Sequence, residues 1–224
     1  MYSEARVGRF KVLVLSDDAY IGPALMKGGE WDGWMRPDLQ KLVVPGSEII
    51  DVGGNIGWNA LMFSDYAPVH TFEPVFFNLI NENMKENSLV HDVSIHCYGL
   101  SDGPGIFPIY IPGRDSESRV NYGGCTLKPT GDHHGGVQQI ELRRLDDVYT
   151  GRVSFMKIDV EGHELEVLKG AEQTIRKWHP AIMIEIFTFE NSPVIEFLKT
   201  LGYTTFESRP ENNWLCLTET LQYE

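Results

Sequence analysis

With 224 residues, of which 42% are hydrophobic, the chain can bury one sizeable core and fits one α/β domain better than two. Its net charge of −13 argues against a nucleic acid as partner, and its three cysteines lack the spacing of a zinc site or a disulfide framework. No apolar run approaches the roughly 20 residues of a membrane span, and the first residues do not resemble a signal peptide, so we expect a cytoplasmic protein.

The first 45 residues precede the main strand–helix alternation. Phe10–Leu15 is β-rich, Ile21–Met26 is predicted to form one or two helical turns, and Pro37–Leu42 is predicted to form a second helix. Trp31 and Trp34 form an aromatic cluster between these two helices. Pro45 and the glycine after it predict a turn into the first sheet strand.

From residue 46 onward, predicted strands and helices alternate. The strands are predicted at Glu48–Val52, Val69–Phe72, Val93–Tyr98, Val153–Ile158 and Ala181–Ile186, with closing strands at 204–206 and 214–218. The helices are predicted at 56–66, 75–87, 164–178 and 193–201. This alternation predicts an α/β fold in which parallel strands are joined by right-handed crossovers.

Residues 104–140 interrupt the alternation with many prolines and glycines. Strands are predicted at Ile106–Ile111 and Val137–Leu142, as a β-hairpin-like excursion with a long loop between them. A functional loop and a solvated insertion are both open interpretations. His133 and His134 in this loop are predicted to be solvated rather than to act as ligands.

The loop after the first sheet strand has the composition of a cofactor-binding turn. Asp51, Gly53, Asn55 and Gly57 follow an apolar run, and small residues let the backbone approach a ligand closely. The third glycine of the dinucleotide pattern is not in place, which disfavours a pyrophosphate. Asp51 suits a ligand with positive charge, and S-adenosylmethionine (SAM) carries a sulfonium and an amino group without a phosphate. A tight turn without a ligand is the alternative.

A second apolar run ends in Glu73, about twenty residues beyond the loop. A carboxylate at this distance can accept hydrogen bonds from both hydroxyls of a ribose. Polar residues also follow the later strands. Together these strand-end groups are Asp51, Glu73, Ser101, Asp102, 159–164 and Glu185. Because ligands bind outside the carboxyl ends of parallel strands, the groups predict one site at one sheet edge.

The same segments resemble the FkbM-type SAM-dependent methyltransferases, a branch of the class I methyltransferases. The resemblance rests on Ile50–Gly57, Thr71–Pro74, Gly99–Asp102, Arg144–Asp147 and Met156–Glu164, followed by Val167–Ala171. It covers residues 46–190. One departure is Gly54, where the family commonly has alanine, and this change is expected to be mild.

The resemblance implies a Rossmann-like, seven-stranded, mostly parallel sheet whose last strand is antiparallel, with helices on both faces. It implies that residues 1–45 form a cap over the cofactor site. It also implies that residues 46–224 form the SAM-binding domain, which contains the excursion at 104–140. The residues implied to bind SAM are Asp51, Gly53, Asn55, Gly57, Glu73, Ser101, Asp102 and Asp159. S-adenosylhomocysteine would be the product, and the implied reaction is methyl transfer to a hydroxyl, often on a sugar or a polyketide.

An alcohol is a poor nucleophile until its proton is removed, so a general base is expected. The candidate catalytic residues are Asp159, Glu161, His163 and Glu185. His163 titrates near neutrality, and its position at a helix N-terminus is expected to lower its pKa. The same four side chains could offer ligands to a metal such as magnesium, but we do not favour a metal site.

The preferred interpretation is an O-methyltransferase acting on a small molecule or a glycan, with no nucleic-acid partner. The carboxylate-rich edge suits a neutral polyol better than a phosphorylated acceptor. One alternative is a nicotinamide-dependent sugar-modifying enzyme, which the glycine pattern disfavours. Another is a non-catalytic module that binds SAM.

Overall fold

A seven-stranded sheet forms the centre of the computed structural model, which describes residues 1–128 and 134–219. The strands in chain order are β1 (Tyr2–Val7), β2 (Phe10–Leu15), β3 (Glu48–Val52), β4 (Val69–Phe72), β5 (Val93–His96), β6 (Gly99–Leu100), β7 (Gly105–Pro112), β8 (His134–Arg143), β9 (Val153–Ile158), β10 (Ala181–Glu185), β11 (Tyr203–Ser208) and β12 (Asn213–Thr218). The helices are α1 (Ile21–Met26), α2 (Arg36–Leu42), α3 (Trp58–Phe63), α4 (Phe77–Lys85), α5 (Leu145–Val148), α6 (Glu164–Gly170), α7 (Glu172–Trp178) and α8 (Pro193–Thr200).

The order of the strands in the central sheet is β11-β12-β10-β9-β3-β4-β5. The strands from β10 to β5 pair in parallel, whereas β12 is antiparallel to both of its neighbours. The predicted fold, with its antiparallel last strand, is confirmed. This order brings the carboxyl ends of β3, β9 and β10 side by side.

Alternating side chains of the strands pack into two hydrophobic cores, one on each face of the sheet. Ile49 packs in the core that contains α1 to α4, and Ile50 packs in the core that contains α5 to α8. Successive residues of a strand point to opposite faces, so a strand buried on both faces is continuously apolar. The predicted helices on both faces are therefore present.

Three elements differ from the sequence-based prediction. The helix predicted over 164–178 is two helices that meet at Ala171, whose φ of −109° departs from helical geometry after the poor helix former Gly170. The helix predicted from Ile56 begins at Trp58, because Gly57 has a left-handed φ of 84°. The strand β1 was not predicted, because Glu4 and Ala5 have low strand propensity, although its buried Ala5 and Val7 alternate with the exposed Glu4 and Arg6.

The excursion at 104–140 contains the two predicted strands. They form the longer strands β7 and β8, which pair antiparallel, and β6 pairs with β8 in parallel to complete a small sheet. The chain after β7 returns toward the N-terminal segment, where Val120 forms a bridge with Asp18. The prediction for the side chains of His133 and His134 lies outside the described residues.

The N-terminal hairpin of β1 and β2 packs with α1 and α2 in the same core as α3 and α4. Arg209 of the β11–β12 connection pairs with Asp38 of α2 at 2.7 Å, which ties the segment to the other end of the chain. The role of residues 1–45 as a cap over the cofactor site stays a prediction. Within the described residues, no helix combines the length and the hydropathy that crossing a membrane requires.

Candidate functional site

The loop after β3 lies directly against the segment after β9. Gly53 has a φ of +88°, and a Cβ built on it would lie 1.9 Å from the carbonyl oxygen of Asp159. The backbone N–H of Asp159 in turn donates to the carbonyl of Val52 at 3.0 Å. Only glycine allows this approach of two backbones. The loop and Asp159 therefore form one unit at the sheet edge.

At Gly54, a different contact leaves no space for a Cβ atom. A Cβ on it would lie 2.1 Å from Oγ1 of Thr71, and that hydroxyl donates to Oδ2 of Asp51 at 2.8 Å. In this chain, β4 places the hydroxyl of a threonine where the methyl group of an alanine would lie.

We expect Gly54→Ala to destabilise the protein by about 1–3 kcal/mol through overpacking. Thr71→Ala in the same chain should recover part of this loss, because it empties the space. Urea unfolding of the single and double variants measures the coupling. Gly103→Ala is the control, since nothing lies within 4 Å of its Cβ position. Equal stability of Gly54→Ala and wild type would contradict the contact.

Glu73 is buried at the end of β4 and faces the loop. Its carboxylate accepts backbone N–H bonds from Asn55 at 3.0 Å, Val75 at 2.7 Å and Phe76 at 3.1 Å. Burial raises the pKa of Glu73 to about 7, and these three donors act against the shift. The donors fix the carboxylate beside the loop, where further donors from a ligand would favour its ionised form.

A first cavity opens beside Glu73. Gly53, Asn55, Asp159 and Glu161 line its polar end. Its apolar walls include residues of the excursion, namely Ile109, Tyr122, Cys125, Leu127, Ile140 and Leu142. Burial raises the pKa of the Cys125 thiol to about 12, which leaves it unreactive at neutral pH. Described residues of the excursion thus form part of the wall of this cavity, and a functional role for the loop stays a prediction.

A second, wider cleft of about 1380 Å³ adjoins the first cavity. Gly53, Asn55, Asp159 and Glu161 line both spaces, so they mark the junction. The other residues that line this cleft include Tyr20, Trp31, Asp32, Asn59, Glu185, Phe187, Glu211 and Asn213. The arrangement can hold one ligand in the cavity and a second in the cleft, in contact at the junction.

Three carboxylates converge at this junction. One oxygen from each of Asp159, Glu161 and Glu185 lies within 4.8 Å of the others. Burial, followed by repulsion from Asp159, raises the pKa of Glu161 to about 7 and that of Glu185 to about 9. The trio could hold a proton or a cation. His163 is absent from this group among the described residues, in contrast to the four-residue set considered from the sequence.

His163 lies on the other side of the first cavity, at the start of α6. Its Nε2 is 2.9 Å from the hydroxyl of Ser101, and its Nδ1 is 3.6 Å from Oε2 of Glu166. Its pKa is lowered, as expected from the sequence, and burial is the chief cause. Ser101 and Asp102 line a third hollow of about 670 Å³ with His163 rather than the first cavity itself.

Lys157 lies beneath the junction and is 2% exposed. Its Nζ is 2.8 Å from Oδ2 of Asp159 and 3.8 Å from Oδ2 of Asp32, and the attraction of these carboxylates raises its pKa against the effect of burial. Lys157 also lowers the raised pKa of Asp51, which burial brings to about 6. The buried cation is the centre of the charge network.

Asp51 and Gly57 do not line either of the two large spaces among the described residues. Asp51 lies under the loop, and Gly57 packs at the start of α3, where a Cβ would lie 2.9 Å from Ile80. Their contact with a cofactor stays a prediction. Sequence reasoning missed Asp32 and Asn213 because no strand-end motif contains them, and it gave Lys157 only an incidental role.

Comparison with known proteins adds to this geometry. The model of the methyltransferase FkbM domain matches residues 51–205, which is more than half of the chain. The chain belongs to the FkbM methyltransferase family. This assignment leaves the nicotinamide-dependent alternative without support.

Two relatives carry methyltransferase names. The methyltransferase sdnD of Sordaria araneosa is 30% identical over 201 residues, which is 73% of this chain and 76% of the relative. The hexuronic acid methyltransferase AglP of Haloferax volcanii is 34% identical over 131 residues, which is 56% of this chain and 50% of AglP.

The solved structure of methyltransferase FkbM from Methylobacillus flagellatus KT has the same fold. It superposes with a TM-score of 0.52 at 18% identity, covering 77% of this chain and 43% of that chain. This FkbM domain thus spans less than half the length of that neighbour.

The matched segment contains the first cavity's strand ends but only part of the cleft. Tyr20, Trp31 and Asp32 precede the match at residues 51–205, and Glu211 and Asn213 follow it. Part of the wall of the cleft therefore comes from segments of the chain that the family model does not describe.

Proposed function

We propose that this FkbM methyltransferase transfers the methyl group of SAM to a hydroxyl of a carbohydrate. The observation that carries the proposal is the junction, where the carboxylates of Asp159 and Glu161 border both the cavity beside Glu73 and the wider cleft. A transferase needs this arrangement, because its two substrates must meet in line at one point.

The first cavity suits the adenosine part of SAM. Glu73 would hold the ribose hydroxyls, and the apolar walls would enclose the adenine. Gly53, Asn55 and Asp159 would face the methionine part. Bound SAM would supply an electrophilic methyl group on a sulfonium, and the carboxylates at the junction would stabilise its positive charge.

We propose Glu161 as the general base for the acceptor hydroxyl. Asp159 already accepts a hydrogen bond from Lys157 at 2.8 Å, so one of its carboxylate oxygens is engaged. A pKa of about 7 for Glu161 suits proton removal near neutral pH. His163, which lies beside Ser101, would position the cofactor instead. The catalytic role that the sequence indicated for His163 and Glu185 stays a prediction.

Carbohydrate as the acceptor class is supported by the cleft itself. Trp31 and the 64% exposed Phe187 offer aromatic surfaces to a sugar ring, beside carboxylates and amides that accept hydrogen bonds from hydroxyls. The name of AglP points to a sugar acid as the acceptor of that relative. We further propose a cytoplasmic enzyme that acts on a small molecule or a glycan and on no nucleic acid.

Calorimetric binding of S-adenosylhomocysteine tests the cofactor. We expect micromolar affinity for the wild type and a loss of about tenfold to a hundredfold for Glu73→Ala, since charge-assisted hydrogen bonds to ribose are lost. Glu73→Gln, which keeps the size of the side chain, separates this loss from a collapse of the loop. Glu82→Ala on the exposed face of α4 is the control. No binding by the wild type would refute the proposal.

A further inference from the structure

One wall of the cleft is built by the end of β10 and the connection between β11 and β12. Glu185 and Asn213 face each other as partners in the antiparallel β10–β12 ladder. The N–H of Ile186 donates to the carbonyl of Asn212 at 2.9 Å, which holds the connection against β10. Glu185, Glu211 and Asn213, here called the acceptor wall, all line the cleft.

Asn213 presents an oxygen without a partner. The residue is 3% exposed, and its Nδ2 donates to the carbonyls of Pro210 and Glu211, each at 3.2 Å. These two bonds fix the orientation of the amide, so Oδ1 is the free atom. Neither this oxygen nor the buried Oε2 of Glu185 has a hydrogen-bond partner among the described residues. Buried acceptors of this kind require a donor.

The wall also lacks a counter-ion. None of the described residues that line the cleft is Lys, Arg or His. Lys157 beneath it is in contact with Asp159 and Asp32, and its distances to them are 2.8 and 3.8 Å. Burial raises the pKa of Glu211 as well as that of Glu185, as expected for carboxylates without a cation in contact.

We propose that the acceptor wall of Glu185, Glu211 and Asn213 binds a protonated amine, so that the acceptor is a polyol carrying an amino group beside the methylated hydroxyl. This inference rests on the proposed methyl transfer to a carbohydrate and names the class of that carbohydrate. An ammonium group donates three hydrogen bonds and carries one positive charge, which matches two carboxylates and an amide oxygen.

Two other ligands match the wall less well. A hexuronic acid would place its negative carboxylate beside the carboxyl groups of Glu185 and Glu211, where no Lys, Arg or His among the described cleft-lining residues could pair with it. A divalent cation at Asp159 would meet the Nζ of Lys157, which already lies 2.8 Å from Oδ2 and would repel it. The acceptor specificity should therefore differ from the one that the name of AglP states.

Methyl transfer to matched acceptors tests the inference. The methyl glycosides of glucose, galactose and mannose are each used as the neutral sugar, the 2-amino sugar and the uronic acid, with saturating SAM and with EDTA present. We expect kcat/KM for an amino sugar to exceed that of the neutral sugar of the same configuration by at least about tenfold, with the uronic acid lowest.

Glu211→Gln should reduce this preference for the amine severalfold, whereas Glu196→Gln, on the exposed side of α8, should leave it unchanged. Equal or greater activity with neutral or uronic acid acceptors would overturn the inference and leave the methyltransferase proposal intact. Activity that EDTA abolishes and magnesium restores would also overturn it, because the carboxylates would then hold a metal. Binding of S-adenosylhomocysteine without turnover of any of the nine glycosides would contradict the carbohydrate proposal itself.

Discussion

Glu161→Gln is expected to lower kcat by about a hundredfold to ten-thousandfold, the usual range for loss of a general base. The glutamine keeps the size of the side chain and cannot accept the proton of the acceptor hydroxyl. Because Glu161 lies at the junction of the cavity and the cleft, its loss should act on the chemical step. The measurement is steady-state methyl transfer with the best acceptor, together with calorimetric binding of S-adenosylhomocysteine.

The affinity for S-adenosylhomocysteine should change little in this variant, since Glu73 and the loop are untouched. Glu196→Gln is the matched control at an exposed site. Full activity of Glu161→Gln would exclude Glu161 as the base and return the role to Glu185 or Asp159. If neither the wild type nor the variant showed detectable turnover, the result would instead favour the non-catalytic module that binds SAM.

The pH dependence follows from the same residue. Burial, then repulsion from Asp159 and Glu164, raises the pKa of Glu161 to about 7. A base acts in its ionised form, so kcat/KM should rise with pH below about 7 and level off above it. The positive charge of SAM would shift the midpoint downward by favouring the carboxylate. The Gln variant should lack this rise, because the titrating group is gone.

Lys157→Met is expected to destabilise the protein by about 3–5 kcal/mol, the range observed when one partner of a buried ion pair is removed. The variant would leave Asp159, Asp32 and Asp51 without their shared cation in a buried site. Urea unfolding measures the loss. Lys199→Met is the control, since its pair with Glu196 is exposed and surface pairs contribute about 0–1 kcal/mol.

The effect of Lys157→Met should depend on pH in a defined direction. Without the lysine, the folded-state pKa of Asp51, which burial already raises to about 6, rises further above its unfolded value. Stability from a raised pKa is present at low pH and is lost as the pH rises through the folded value. The destabilisation should therefore be larger at pH 8 than at pH 5. A constant loss across this range would indicate that only packing had been removed.

The sequence predicted the cofactor side of the site from local signals. Glycines after β3 and an acidic residue after β4 mark a turn and a strand end that any parallel sheet brings to one edge. Gly53 and Glu73 accordingly lie beside one cavity. From the sequence, His163 was grouped with Asp159, Glu161 and Glu185, because residues that follow strands were treated as one group. In the structure, the ring of His163 instead lies beside Ser101, with its Nε2 2.9 Å from the serine hydroxyl.

The acceptor side could not be predicted in this way. Asp32 and Asn213 are 181 residues apart in the chain, and neither belongs to a sequence motif. They reach the cleft because β12 inserts between β10 and β11 and because the N-terminal segment packs on the core of α3 and α4. Similarly, the composition of this part of the chain does not indicate that Ile109 and Leu142 line the first cavity.

The family resemblance implied the seven-stranded, mostly parallel sheet with an antiparallel last strand. By itself, the sequence determined the α/β class and the edge of the sheet at which the polar strand-end groups are concentrated. Those features follow from apolar periodicity and turn chemistry, which are local and repeat along the chain. Only the tertiary structure decided that Lys157 is buried among three carboxylates, that alanine does not fit at Gly54, and that the acceptor wall presents unpartnered oxygens. These properties arise from contacts between distant segments, whose energies depend on burial and on the charges that folding brings together.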